Sequence, residues 1–241
     1  MKDGEIDDIL KQAAAAPHDV DPKLLDRVTG SIGSSLRPVR PLPPTWVLAG
    51  ELVLACVAVA VAGAARAGFF GVRKMTGLDR ALIFSALGIF VWLAASTSVS
   101  EIIPGSRRRT SPKTLLVAGC GLLLAVFAAL FHDYGMVNFV PAGVACLVTG
   151  LLIATPTGLL SWLVLRRGFA LNPGAAGLAA GTLAGLAGVA MLELHCPNFE
   201  ALHILLWHTA VIPISAAASA LLAWRITAPG GSGARESVAS R

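Results

Sequence analysis

The side chains best suited to chemistry concentrate in one stretch of the chain, residues 193–208. This stretch carries Cys196 and three imidazoles, those of His195, His203 and His208. Thiol and imidazole groups are competent ligands for soft or borderline metal ions, and a thiol can also react with oxidants. The spacing of these residues fits no fixed metal-ligand motif. A metal- or oxidant-responsive site and a structural set of packed side chains therefore both stay open.

The segments that must position these groups are unusually apolar. Of the 241 residues, 55% are hydrophobic and 14% are charged, and the mean hydropathy is +0.73. Soluble domains average about 25% charged residues, so an ordinary globular enzyme is disfavoured. A helix that crosses a bilayer needs roughly 20 apolar residues. The uncharged runs that approach this length cover residues 52–65, 81–100, 114–131, 140–165, 169–192 and 204–224.

These runs predict an all-α, polytopic membrane protein with six transmembrane helices. We divide the chain into a helical N-terminal tail (residues 1–44), a transmembrane domain (45–226) and a flexible C-terminal tail (227–241). The first apolar run begins only near residue 45, so we expect it to stay as a helix and not to be removed as a signal peptide. The lipid bilayer is then one partner of the chain.

Basic residues are distributed unevenly between the two predicted sides of the membrane. With the N-terminus inside, 15 of the 19 lysines and arginines face the cytoplasm. Those left outside are Arg66, Arg73, Lys74 and Arg80, which makes the first outer loop more basic than is usual. The overall excess predicts a multi-pass protein with both termini in the cytoplasm.

This orientation places residues 193–208 at the outer face and brings Cys146 close to it. The fourth span runs inward, so Cys146 lies about six residues below its outer end, on the order of 10 Å at 1.5 Å per residue. Cys196 lies beside Pro197 at the end of a span, where we expect water and ions to reach it. The two thiols, with a histidine, could form a site that bridges the fourth and sixth spans.

The remaining sequence offers little enzymatic chemistry. No CxxC, HExxH, GxSxG or P-loop pattern occurs, and the outer loops are too short to hold a catalytic domain. We expect Cys56 and Cys120 to be small buried hydrophobes. We therefore expect no enzymatic activity and no required cofactor, although a heavy-metal ion could bind transiently.

The N-terminal tail is the largest polar segment, and its pattern predicts two amphipathic helices. Asp21 followed by Pro22 is a favourable N-cap and first-turn pair for the second helix. Residues 1–26 hold seven acids and three lysines, so nucleic acid and anionic lipid should be repelled. An acidic amphipathic segment suits a protein partner with a basic surface and an apolar groove. The apolar residues that we expect to contact it are Ile6, Ile9, Leu10, Leu24, Leu25, Val28 and Ile32.

The fifth predicted span is built from small residues. Gly177, Gly181 and Gly185 recur at every fourth position, a spacing that lets a neighbouring helix backbone approach closely. The same pattern serves packing within one chain and dimerisation of two chains. We favour packing within the chain.

Two stretches of the chain resemble one protein family. The motifs are Leu194-His195-Cys196-Pro197 followed by Trp207-His208, and the end of the tail, Leu36-Arg37-Pro38-Val39-Arg40-Pro41-Leu42. They resemble the NrsF family of six-helix bacterial inner-membrane proteins, which are anti-sigma factors that negatively regulate an extracytoplasmic-function sigma factor. In that family a cysteine in the fourth span and another before the sixth are linked to stress sensing. Cys146 and Cys196 occupy those places here.

The resemblance implies a membrane anti-sigma factor in the bacterial inner membrane. Its tail would sequester an extracytoplasmic-function sigma factor, and metal or oxidant stress at Cys146 and Cys196 would release it. The main alternative is a small-molecule or ion transporter, which would leave the acidic tail without a purpose. A membrane redox enzyme that uses thiols or haem is a further alternative, and the absence of CxxC disfavours it.

Overall fold

The computed structural model describes residues 21–35, 43–103, 106, 110–168 and 170–227, and the single residues 8 and 11. It divides into two compact units, Met1–Pro41 and Leu42–Arg241. The described residues form helices and one isolated bridge between Asp133 and Glu200, with no strand.

The first unit contains one described helix, α1 (Pro22–Ser35). The second unit contains α2 (Thr45–Ala67), α3 (Phe70–Lys74), α4 (Gly77–Glu101), α5 (Pro112–Leu130), α6 (Phe139–Leu165), α7 (Pro173–His195), α8 (Ala201–His203), a π-helix (Ile204–His208) and α9 (Thr209–Thr227). The last three run on as one candidate span, Ala201–Ile226. With α2, α4, α5, α6 and α7, the described part has six helices long and apolar enough to cross a membrane. The predicted all-α architecture with six spans is confirmed.

The helix α1 begins where its sequence predicts. The Asp21 side chain accepts a hydrogen bond from the backbone N–H of Lys23 at 2.9 Å, and Pro22 opens the helix. This arrangement satisfies one of the N–H groups that a helix start leaves without a partner. The predicted contact residues Ile6, Ile9 and Leu10 lie outside the described residues, as does the side chain of Ile32.

Several spans begin at polar caps that the loops supply. Ser111 accepts from the N–H of Thr114 at the start of α5, and Asn172 accepts from Ala175 at the start of α7. Thr76 and Asp79 form a reciprocal capping box at the start of α4. Each cap fixes where a loop ends and an apolar helix enters the bundle.

The helix α7 is the centre of the bundle. Its spanning window is 83% buried, against 17% for α6, and it contacts each of the other five spans. Glycines allow this central position. A Cβ added at Gly177 or Gly185 would lie 2.6 Å from the backbone of α9, and one at Gly188 would lie 2.5 Å from the backbone of α6. The small residues therefore pack helices within the chain, which agrees with the interpretation favoured from the sequence.

Three loops meet at one end of the bundle, which we call the Cys196 end. Lys74 Nζ donates to the carbonyl of Pro197 at 3.3 Å, and the N–H of Ala201 donates to the carbonyl of Asp133 at 2.5 Å. The rings of Phe131 and Phe199 stack with their centroids 5.5 Å apart. The loop after α7 is thus held by the loops that follow α2 and α5.

Candidate functional site

The two cysteines that the sequence singles out are adjacent in the structure. Cys146 Sγ, on α6, lies 3.5 Å from Cys196 Sγ, which immediately follows α7. The contact joins residues 50 positions apart in the chain. Both thiols are free cysteines, and no disulfide links them.

The environment of Cys196 differs from the one expected. The residue is only 5% exposed, so the expectation that water and ions reach it directly is wrong for this structure. Its thiol packs against Cys146 and His203, and α3 folds back against the end of α7 and covers the backbone of Cys196. A Cβ at Gly71 would lie 2.5 Å from the Cys196 carbonyl oxygen and 2.7 Å from that of Glu193, so only a glycine allows this approach.

Two of the three predicted accessory histidines join the thiols. Nε2 of His203 lies 3.7 Å from Cys196 Sγ. One ligand atom each from Cys146, Cys196, His203 and His208 lies within 4.8 Å of the others, and we call these four residues the thiol–imidazole cluster. The third candidate, His195, lies elsewhere: its Nδ1 is 2.9 Å from the carbonyl oxygen of Gly68.

A buried carboxylate, that of Glu193, supports the cluster; it belongs to the polar stretch 193–208 but is not among the residues predicted to act in the site. Oε1 of Glu193 lies 2.7 Å from Nδ1 of His208, and both side chains are 1% exposed. The sequence does contain a signal for it. Glu193 interrupts the apolar end of a predicted span between Leu192 and Leu194, and acids in such places are expensive unless they have a role.

The two histidines of the cluster are brought to one side by a local change of helix type. The N–H of Thr209 bonds to the carbonyl of Ile204, five residues back, which defines the π-helix. The rings of His203 and His208 lie 5.3 Å apart, edge to face. Trp207, between them in sequence, packs on Gly143 of α6, three residues before Cys146.

The thiol of Cys196 is held in its protonated form. The hydrogen bond with Cys146, and then burial, raise the pKa of the Cys196 thiol above its ordinary value. A protonated thiol is a poor nucleophile and a poor metal ligand. A metal ion that enters the cluster must therefore displace a proton, and an oxidant meets a thiol of low intrinsic reactivity.

The other two cysteines lie away from the cluster. Cys56 is buried on α2, as the sequence predicts, and Cys120 is half-buried on α5. Both pack with the apolar core. They provide internal comparisons for the reactivity of Cys146 and Cys196.

The described helix of the tail carries an uncovered apolar face. Leu24, Leu25 and Val28 are 50%, 52% and 47% exposed. Leu25 and Val28 are three residues apart and therefore lie on one side of the helix. Lys23 and Arg27 lie on the opposite side and are also exposed. The helix is therefore amphipathic, with two basic residues on its polar side. Binding of a protein partner to this surface stays a prediction.

The fold and the cluster define a class: a helical bundle suited to a membrane, with adjacent thiols and buried imidazoles at one end and a polar helical segment before its first span. A comparison with family models makes the assignment specific. The family described as negative regulator of sigma F, NrsF, matches residues 33–228. The chain therefore belongs to the NrsF family, a family of negative regulators of a sigma factor. No curated protein and no solved structure shows a significant match to the chain.

Proposed function

We propose that this chain is an inner-membrane anti-sigma factor that holds an extracytoplasmic-function sigma factor through its N-terminal tail. Stress at the outer face, acting on Cys146 and Cys196, weakens that hold. Membership of a family of negative sigma regulators supports the regulatory role. The observation that carries the sensing role is the 3.5 Å separation of the two Sγ atoms, one on α6 and the other directly after α7.

The tail has the surface that a sigma factor would need. The exposed Leu24, Leu25 and Val28 can enter an apolar groove between helices of the partner. The seven acids of residues 1–26 complement the basic surfaces with which a sigma factor binds DNA. Occupation of those surfaces would prevent the sigma factor from working with RNA polymerase.

Both termini are placed in the cytoplasm in this proposal, and the Cys196 end is placed outside. The excess of lysine and arginine in the remaining loops favours that orientation. The sigma factor is then bound on one side of the membrane while the signal arrives on the other. The spans must carry the signal between them.

The packing of α7 offers a route for that signal. Cys196 directly follows α7, and α7 contacts α2, which starts at Thr45 where the tail ends. A reaction that draws Cys146 and Cys196 together or apart changes how α6 packs on α7. Gly188 lies so close to the α6 backbone that the two helices cannot shift past each other by small steps without a change in packing. A coupling free energy of about 1–3 kcal/mol would change sigma affinity 5- to 150-fold.

The test measures transcription from a sigma-dependent promoter in cells, with and without cadmium or a thiol oxidant. Cys146→Ser and Cys196→Ser should each repress normally and lose the response, and the double variant should lose nothing further. Cys120→Ser is the matched thiol control and should respond normally. A normal response in either single variant of the pair contradicts the paired sensor.

Removal of residues 1–40 tests the anti-sigma role separately. The truncated chain keeps all six spans, so a transporter would still transport, whereas an anti-sigma factor should lose all repression. Full repression by the truncated chain, with its membrane level confirmed by immunoblot, would contradict the tail as the binding element.

A further inference from the structure

Four side chains at the Cys196 end have the composition of a metal site. The thiol–imidazole cluster offers two sulfur and two nitrogen donors, the set that zinc takes in closed four-coordinate sites. With metal–sulfur bonds of about 2.3 Å and metal–nitrogen bonds of about 2.0 Å, neighbouring ligands of a tetrahedral ion are about 3.3–3.8 Å apart. The Cys146–Cys196 separation of 3.5 Å and the Cys196–His203 separation of 3.7 Å already fall within that range.

The rest of the cluster is close to the same geometry. The widest separation among its donor atoms is at most 4.8 Å. To reach the distance between neighbouring ligands of a tetrahedral ion, the two donor atoms farthest apart must approach each other by about 1 Å. The structure thus holds all four donors nearly in place.

The π-helix is what makes both histidines available. In an α-helix, with 3.6 residues per turn, His203 and His208 would be about 140° apart, on different faces. Bonding from each residue to the fifth one along brings such a pair onto one side. A π-helix is rare and is frequently found at functional sites, so its presence between the two histidines is consistent with a use for both.

Glu193 gives His208 the orientation that a metal ligand needs. With its Nδ1–H donated to the carboxylate, His208 keeps the lone pair of Nε2 for another partner. Nε2 is buried and has no hydrogen-bond partner among the described residues. A carboxylate that holds the far nitrogen of a histidine is the usual support of a metal-bound imidazole.

We propose that Cys146, Cys196, His203 and His208 bind one divalent ion of soft or borderline character, Zn²⁺ or Cd²⁺, with Glu193 as a positioning residue. The four ligands come from α6, the loop after α7, the last residue of α8 and the last residue of the π-helix. Binding replaces the two thiol protons, which leave to solvent, by one divalent ion. This site identifies the ligands of the proposed sensor, but metal binding itself can be measured without a sigma factor.

The site predicts a metal response in preference to a disulfide. A disulfide would use only the two sulfurs and would leave both imidazoles and Glu193 without a function in sensing. A four-coordinate ion uses all five residues. Variants of the histidines therefore separate the two chemistries.

The test uses the purified full-length chain in nanodiscs, reduced, with Co²⁺ as the spectroscopic probe and Zn²⁺ and Cd²⁺ as competitors. We expect one Co²⁺ per chain, with the intense visible bands of tetrahedral cobalt and a thiolate charge-transfer band in the near ultraviolet. Zn²⁺ and Cd²⁺ should displace it. A pale octahedral spectrum, or no stoichiometric binding, would overturn the site in the wild-type chain, before any variant is made.

Variants then assign the ligands. His203→Gln, His208→Asn and Cys196→Ser should each weaken Co²⁺ binding by at least 100-fold or change its spectrum, and Glu193→Gln should weaken it 10- to 100-fold. The matched controls are His195→Gln, an imidazole at the same end but outside the cluster, and Cys120→Ser. If the histidine variants bind as the wild type does, or the controls lose as much as the ligand variants, the four-ligand site is refuted.

Folding and function are controlled separately. Size-exclusion profiles and metal-free melting temperatures show whether each variant is folded. If a variant does not fold, the Co²⁺ spectrum of the wild-type chain alone decides whether the site exists. Sigma binding without metal binding would refute this site and leave the anti-sigma role intact. Metal binding without sigma binding would support this site and refute the anti-sigma role.

Discussion

Loss of the apolar face of the tail helix should remove most of the affinity for the sigma factor. Leu25 and Val28 are about half exposed, at 52% and 47%, so a partner can bury what remains of each. Full burial of such a side chain contributes about 1.5–3 kcal/mol, and the remaining half therefore about 1 kcal/mol each. Replacing both by Ala should cost about 2 kcal/mol, or roughly 30-fold in affinity, since 1.4 kcal/mol is tenfold. Ala keeps the helix, so this loss reports contact alone.

The Asp pair at the same positions should cost more. Leu25→Asp with Val28→Asp loses the same burial and also places two carboxylates in an apolar contact, which raises the expected loss to a hundredfold or more. The matched control is Lys23→Gln with Arg27→Gln, which changes the net charge by the same two units on the opposite face of the helix. The control should bind within a few-fold of the wild type.

The assay is the equilibrium dissociation constant of the full-length chain in nanodiscs for its sigma factor, followed by fluorescence anisotropy. If the Asp pair and the charge control weaken binding equally, net charge accounts for the effect and the apolar contact is refuted. If all variants bind as the wild type does, the tail helix is not the binding element.

We expect three further outcomes. Gly181→Ala should lower the melting temperature, because its Cβ would lie 2.7 Å from Cα of Ala216, whereas Gly121→Ala, with nothing within 4 Å, should keep or raise it. Cd²⁺ affinity should rise from about pH 6 to pH 9, because the raised pKa of Cys196 keeps a proton that the metal must displace; a pH-independent affinity would contradict this. Reporter fusions after residue 110 should report cytoplasm and those after residue 135 the outer side, and inverted signals would overturn the proposed orientation.

The spans were predictable because a membrane-spanning helix is recognised by the length and apolar composition of its sequence. An apolar run of sufficient length has few alternatives in a bilayer, so the six helices follow without knowledge of their contacts. The start of α1 was predictable for a local reason, since Asp21 and Pro22 satisfy the needs of a helix end by themselves. Both inferences depend on neighbours in sequence and not on tertiary packing.

The cluster was predictable only in part. The depths of Cys146 and Cys196 along their spans place both near one face, but depth says nothing of which spans are neighbours. The placement of His195 depends on where α7 ends: the helix continues through His195, and its ring bonds to the loop after α2, away from the thiols.

The residues that hold the cluster together could not be predicted from the periodicity of an α-helix. At 3.6 residues per turn, His203 and His208 fall on different faces, and only the π-helix brings them together. The contact of Glu193 with His208 joins two spans through side chains that sequence spacing does not relate. The covering of the Cys196 backbone likewise comes from α3 and Gly71, more than a hundred residues away in the chain.

In the proposed function, chemistry at Cys146 and Cys196 controls sigma binding by the tail. The most direct measurement is the dissociation constant between the full-length chain in nanodiscs and an extracytoplasmic-function sigma factor encoded in the same genome, with and without stoichiometric Cd²⁺. We expect Cd²⁺ to weaken binding 5- to 150-fold in the wild type and to leave binding unchanged in Cys196→Ser. An equal dissociation constant for the wild type with and without bound Cd²⁺, or no binding of any such sigma factor, would contradict it.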